Sequence, residues 1–164
     1  SDTNTLTNTY NYKVFKELYE NNVSTLSILF KGASSLSSDD IKLSERLYIP
    51  GKRLRGFETG KIGPKDGNDF IGGNYVSSIN ATTTIPTLLE NVQSVDVVLF
   101  ADAANIWGVD YDSSLDKNGI RSSVGIGIDW LTPVGPLTFS FAHPVTKEPT
   151  DIEQTFRFNI GTSF

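Results

Sequence analysis

The chain has 164 residues, one domain's worth, with 38% hydrophobic residues, a mean hydropathy of −0.19, a formal net charge of −5 and a pI of about 4.8. The acidic balance argues against a general nucleic-acid binder. The absence of cysteine excludes disulfide frameworks, thiol catalysis and cysteine metal sites. No run approaches the ~18 consecutive apolar residues of a spanning helix, although alternating β-strands can cross a bilayer at this mean hydropathy.

The chain opens on Ser1-Asp2-Thr3-Asn4 with no initiator Met and no signal peptide, and reads as a fragment of something longer. Residues Ser1 to about Tyr10 are rich in Thr and Asn and predict a loop. From Tyr12 to Glu20 the spacing of Val14, Phe15, Leu18 and Tyr19 favours an amphipathic helix. Val23 to Phe30 predicts a strand, with Ser24, Leu26, Ile28 and Phe30 on one face. Ser34 to Asp69 carries Gly, Pro, Ser and charge with little period and predicts a long loop. Tyr75 to Ile85 is Thr-rich and β-prone and stops at Pro86.

The later segments alternate at period two. Val95, Val97, Leu99, Ala101 and Ala103 oppose Asp96, Val98, Phe100, Asp102 and Ala104. Val124, Ile126, Ile128 and Trp130 oppose Ser123, Gly125, Gly127 and Asp129. Leu137, Phe139 and Phe141 oppose Thr138, Ser140 and Ala142, and Phe156, Phe158, Ile160 and Phe164 oppose Thr155, Arg157, Asn159 and Ser163. In the last three segments one face is apolar and aromatic and the other is polar or glycine. A soluble β-sandwich alternates in the same way. Two features favour a membrane barrel. The strands reach roughly the 9–11 residues that cross a bilayer at a tilt. Connections alternate between a tight turn at Leu131 to Pro136 and longer polar loops at Gly108 to Ile120 and His143 to Glu153. Trp107 and Trp130 fall near strand ends, where an aromatic girdle sits.

Leu54-Arg55-Gly56-Phe57 followed by Ile62-Gly63-Pro64 resembles the arginine-glycine-aromatic loop motif of the BamA-type assembly factors, within the outer-membrane surface antigen and two-partner secretion transporter superfamily. Ile71-Gly72-Gly73-Asn74 is similar to the start of the strand after that loop, and Asp102-Ala103-Ala104-Asn105-Ile106-Trp107 to the end of the next. Trp130 to Leu137 with Phe139 to Pro144 resembles the following hairpin, and Phe156 to Phe164 the terminal strand with its closing aromatic. The blocks occur in family order from Leu54 to Phe164, about two thirds of the chain.

The resemblance implies an all-β fold, an antiparallel transmembrane β-barrel: about the last six strands of a 16-stranded barrel with a long lumen-inserted loop. Residues 1–164 form the C-terminal part of a single barrel domain, with the loop at about 34–70 and the last strands at about 74–164; the POTRA domains and N-terminal strands are absent. It also makes Tyr12 to Glu20 a strand, against its local pattern. The fragment then exposes two open sheet edges, which predicts self-association.

Seven of the fourteen Lys and Arg residues fall between Lys42 and Lys65, where only Glu45 and Glu58 oppose them. Such a run is either a solvated basic loop or a partner for acid. Strand parity puts Asp96, Asp102 and Asp129 on the polar, lumen-facing side. In the family the motif arginine pairs with acidic residues of the inner wall. Carried over, Arg55 pairs with Asp102, Gly56 permits a tight backbone turn and Phe57 packs against the wall. Thr82 stands where relatives often carry a glutamate, which leaves Arg55 one carboxylate partner. Phe156, Phe158, Ile160 and Phe164 fit the C-terminal strand signal of barrel proteins, and in the family the last strand meets the first at a weak seam.

The resemblance implies an outer-membrane protein assembly factor in the bacterial outer membrane that folds and inserts β-barrel proteins without chemical catalysis. Its implied partners are unfolded β-barrel clients, the lipoproteins of the assembly machinery and outer-membrane lipid, without cofactor, metal or nucleic acid. The alternatives are a related translocation and assembly module barrel, a two-partner secretion transporter, and a passive porin, which has no use for the Arg55-Gly56-Phe57 loop. An enzyme is disfavoured. His143 is the only histidine and no nucleophile or metal spacing accompanies it, and the glycines Gly60, Gly63 and Gly67 with Lys61 and Lys65 miss the phosphate-loop pattern.

Overall fold

The computed structural model describes residues 5–37, 39–86, 94–116 and 119–160. Its strands run in the order β1 (Thr5–Lys16), β2 (Ser24–Ser35), β3 (Gly56–Phe57), β4 (Lys65–Asp66), β5 (Asp69–Phe70), β6 (Tyr75–Thr84), β7 (Val95–Trp107), β8 (Arg121–Thr132), β9 (Gly135–Thr146), β10 (Glu153–Gln154) and β11 (Phe156–Ile160). Seven of them form one antiparallel sheet in the order β1-β2-β6-β7-β8-β9-β11. Apart from the inserted segment, each strand pairs with the next along the chain, the up-and-down arrangement of a barrel wall. The count exceeds the expected six by one.

The strands from β1 to β9 in this sheet span 10 to 13 residues, enough to cross a bilayer at a tilt. At one end they are joined by the connections 17–23, 85–94 and 133–134, of two to ten residues. At the other lie 36–74, 108–120 and 147–155, of nine to 39 residues. The tightest turn and the longest loop thus fall at opposite ends of the wall.

Burial separates a barrel from a sandwich. In a soluble sandwich the apolar face of each strand is the buried one. Here it is the reverse. Ile79 is 52% exposed, Phe141 47% and Ile160 65%, and Leu26, Leu99, Val124, Trp130, Phe156 and Phe158 are also exposed. The opposite face buries Ser78, Asn80, Asp102, Arg121, Ser123 and Ser140. An apolar outer surface of this extent over a polar interior is stable only against lipid. Its upper rim is aromatic: Tyr75 and Trp107 stack at 5.7 Å, with Phe30 and Tyr10 beside them. Trp130 lies at the short-turn end of β8.

Three local expectations are corrected. The Thr/Asn-rich start is strand from Thr5 onward, not loop. Tyr12 to Lys16 continues that strand instead of forming a helix; only 17–22 turns back. The reason is pairing: β1 is matched to β2 from Thr5↔Ser35 to Lys16↔Ser24, and such a ladder overrides a short helical pattern. Leu18 and Tyr19, half of that pattern, lie in the reversal and stay exposed. The third concerns the loop expected from His143 to Glu153. β9 runs on to Thr146, and His143 is an exposed strand residue opposite Val124.

The hydrophobic core lies inside the curve of the sheet. Ile49, Leu54, Phe57 and Ile62 of the long connection 36–74 pack on Val76, Ala104 and Ile106 of the wall. Each such buried side chain contributes about 1.5–3 kcal/mol, so the insertion of this segment is driven by the same burial that stabilises a soluble core.

Candidate functional site

The connection 36–74 enters the lumen because its own residues tie it there. Two single turns of tight helix, Leu43–Glu45 and Gly51–Arg53, kink the chain. The Thr5 hydroxyl bonds Glu45, Leu47 and Gly73 exchange backbone hydrogen bonds at 2.8 and 2.9 Å, and buried Arg46 pairs with Asp110 of the 108–120 loop. Asp110 has its carboxyl below the ordinary range. Burial pushes it up, but the Ile41 N–H and the Arg46 guanidinium together outweigh that.

At the tip the structure brings Arg55 and Asp102 together. Arg55 Nε lies 2.7 Å from Asp102 Oδ2 and Nη2 lies 2.8 Å from Oδ1, a bidentate fork, while the Arg55 backbone N–H donates to Oδ2 at 3.0 Å. Asn80 Nδ2 donates to Oδ1 at 2.8 Å and also to the Arg53 carbonyl oxygen at 2.8 Å. The guanidinium lies over the Phe100 ring at 3.7 Å. Asp102 reaches this position because even-numbered residues of β7 from Phe100 to Ile106 face inward. Thr82 lines the lumen with Asn80 and bears no charge.

Gly56 and Phe57 have separate reasons. Gly56 adopts φ +94°, and a Cβ there would stand 3.1 Å from Ala142 Cβ and 3.4 Å from Ser123 Cβ. Only glycine lets the loop lie this close to the wall in this conformation. Phe57 is 1% exposed in the core, and β3 pairs with β10 through Glu153↔Phe57 and Gln154↔Gly56.

Sequence reasoning missed a second pair. Arg121 at the head of β8 is wholly buried. It donates through Nε at 2.9 Å and Nη2 at 3.3 Å to Asp151, and through Nη1 to the Gly119 carbonyl at 2.8 Å. Asp151 also accepts the backbone N–H groups of Gly63 at 3.2 Å and Glu148 at 2.9 Å. This knot ties the Ile62-Gly63-Pro64 turn to the loop that leads into β11. The inward parity of Arg121 with Ser123 was readable. Nothing in the local pattern singles out Asp151. Asn80 shares the inward parity of Thr82 on β6, and that parity alone does not point to Asp102.

Of the C-terminal strand residues, Phe156 and Phe158 are exposed on the outer face and pack on Phe141 and Phe139, each with centroids 5.0 Å apart. Ile160 is beside them, and Phe164 lies outside the described residues. From the inner face Arg157 donates to the carbonyls of Gly51 at 2.6 Å and Phe57 at 2.8 Å, so β11 also holds the inserted segment. Among the described residues β1 and β11 are the edges of the sheet, with β2 and β9 as their respective neighbours. Asp96 and Asp129 face each other across β7 and β8 near the short-turn end, away from Asp102.

An apolar outer wall and a polar inner face with the connection 36–74 folded against it define a transmembrane β-barrel of the outer-membrane type. The comparisons with known proteins are specific. The Omp85 superfamily domain matches residues 1–164, and the chain belongs to that superfamily. It is 32% identical over 154 residues to the outer membrane protein assembly factor BamA of Neisseria meningitidis, a match covering 76% of this chain and 19% of that protein. It is 28% identical over 150 residues to a SAM50-like protein of Schizosaccharomyces pombe, covering 85% of this chain and 31% of that one. The crystal structure of BamA from Haemophilus ducreyi lacking POTRA domains 1-3 superposes with a TM-score of 0.86 at 25% identity, over 96% of this chain and 35% of that one. The chain thus spans about a fifth to a third of the curated relatives it matches.

Proposed function

We propose that this chain is the C-terminal part of the single barrel domain of an outer-membrane protein assembly factor in the bacterial outer membrane, with 34–70 as its lumen loop. The protein folds and inserts β-barrel clients by offering strand edges and a deformable wall, without making or breaking covalent bonds. The observation that carries this reading is the Arg55-Gly56-Phe57 segment, held against the wall by the bidentate bond to Asp102. A passive pore has no reason to fill its lumen with a folded segment that is basic from Lys42 to Lys65 and to commit a buried carboxylate to it. The likeness to BamA of Neisseria meningitidis supports the same reading.

In this account the clamp on Asp102 holds the loop in register, and Phe156, Phe158 and Ile160 belong to the strand that meets a client or the barrel's first strand, with Phe164 the closing aromatic of its sequence signal. Clients, the lipoproteins of the assembly machinery and lipid are the partners. The test is reconstitution of the protein in lipid vesicles with an unfolded β-barrel client. The expected result is a client that folds several-fold faster than in empty vesicles, read by its heat-modifiable migration on a gel. Unaccelerated client folding together with free passage of small solutes would identify a pore and defeat the proposal.

A further inference from the structure

Beside the clamp, the inner face and the inserted segment form a half-open cavity of about 340 Å³ that reaches from β1 across to β8 and β9. Its charged lining is unbalanced. Lys13, Lys52, Arg53 and Arg55 face one carboxylate, Asp129. The nearby Asp102 is occupied by the Arg55 fork and Asn80, and Asp96 lies across from Asp129 at the far rim. Among the described residues neither Lys13, Lys52 nor Arg53 forms an ion pair with a carboxylate.

Arg53 is the decisive group. It is 8% exposed, and among the described residues its guanidinium hydrogen-bonds only to the neutral amide oxygens of Asn80 at 3.5 Å and Asn11 at 3.2 Å. The charge of Asp102 reaches it, but the Asp102 oxygens are bonded to Arg55 and Asn80. Its Nε–H, fully buried, has no partner among the described residues. A guanidinium does not deprotonate to escape burial, and an unpaired buried donor on a cation carries a large desolvation cost. A cation held this way is complemented by an anion with several acceptor oxygens. Lys13 and Lys52 supply two more mobile donors to the same space, and Thr82, the position without a carboxylate, leaves room on the β6 wall.

We infer that this cavity is a binding site for one small oxyanion, a phosphate or carboxylate group, held by Arg53 with Lys13 and Lys52. The inference concerns a ligand site and does not depend on the assembly function. A phosphate-sized group fits the volume easily, and its recognition is by charge-assisted hydrogen bonds to the guanidinium edge and two ammonium groups.

The experiment uses the protein in neutral detergent micelles. Inorganic phosphate and glycerol 3-phosphate are titrated at constant ionic strength by calorimetry and phosphorus NMR. Saturable binding at one site is expected, weakened by about tenfold or more in Arg53→Gln, since one charge-assisted bond is worth at least ~1.4 kcal/mol. Because Arg53→Gln disturbs a buried residue, Lys13→Gln/Lys52→Gln is the companion. It leaves the Arg55 clamp and the core intact and loses binding to a similar degree. Equal binding of both probes points to a free oxyanion, and preference for glycerol 3-phosphate points to a lipid headgroup; both support the site. No saturable binding of either probe, or binding unchanged in both variants, overturns it.

Discussion

Arg55–Asp102 and Arg121–Asp151 are chemically the same pair in two settings on one inner face. The first joins the tip of the inserted segment to the middle of β7, and the Arg55 side chain keeps 17% of its surface exposed. The second joins the head of β8 to the loop before β11, with both side chains fully buried. Sealing decides what each does when broken. A lone charge in a sealed site has no water to turn to, whereas Arg55 retains access to the lumen and Asp102, itself buried, keeps the Asn80 donor when Arg55 leaves. The Arg121 pair is therefore the staple of the fold, and the Arg55 pair is a clamp that can open without unfolding the wall.

The largest effect is expected at the staple. Arg121→Leu or Asp151→Ala alone leaves an uncompensated buried charge and lowers stability by about 3–5 kcal/mol, read by thermal unfolding in detergent. An apolar double variant, Arg121→Met/Asp151→Leu, recovers most of that loss. If the single variants unfold like wild type, the two pairs do not differ as described.

The glycines of the segment sharpen the contrast between clamped and free backbone. Gly56 and Gly60 both have positive φ, at +94° and +78°, but a Cβ on Gly60 meets nothing within 4 Å. Gly60→Ala costs about 1–2 kcal/mol from backbone alone. Gly56→Ala adds contact with Ala142 and Ser123 and costs about 2–4 kcal/mol, about half of it from those contacts. Limited proteolysis of the 36–74 segment, compared between the two variants, checks the order.

Asn80→Ala removes one donor to Asp102 and one to the Arg53 carbonyl, and costs about 1–2 kcal/mol. Thermal unfolding separates it from the staple variants.

The smallest effect is a pH dependence at the exposed end. Asp110 has its carboxyl below the ordinary value, so its contribution is present above the unfolded value of about 3.9 and lost as pH falls through the lower folded value. The pair with Arg46 is partly exposed and contributes at most about 1 kcal/mol. Cutting near 37–46, assayed at each pH with a protease active there, an acid-active one below neutral, should rise below about pH 4 in wild type. Asp110→Asn should show that cutting at neutral pH already.

The outer wall was legible because lipid-facing strands write their exposure directly into alternation, as in Val124, Ile126, Ile128 and Trp130. β1 was harder. Leu6, Tyr10, Tyr12 and Val14 do alternate with Thr5, Thr7, Thr9, Asn11 and Lys13, but the polar members masked the signal and Leu18 and Tyr19 mimicked a helical turn. What made it a strand is twelve matched residues of β2, a long-range fact no local window contains. The Arg55–Asp102 contact could be anticipated from a motif and inward parity. Arg121–Asp151 could not, because Asp151 sits in an irregular loop without parity. The cationic cavity was half visible, as a basic run between Lys42 and Lys65. Lys13 joins it only through the β1–β2 register.

The central claim is that the loop-to-wall clamp serves assembly. It is tested by charge exchange in the protein that carries this chain: Arg55→Glu, Asp102→Arg and the two together, scored by the amount of folded client barrel reaching the outer membrane at equal levels of the variants. The account predicts that each single change cuts client assembly by about tenfold or more and that the double change restores a substantial part of it. Client assembly unaffected by the single changes would contradict the account and leave Arg55 a structural loop residue.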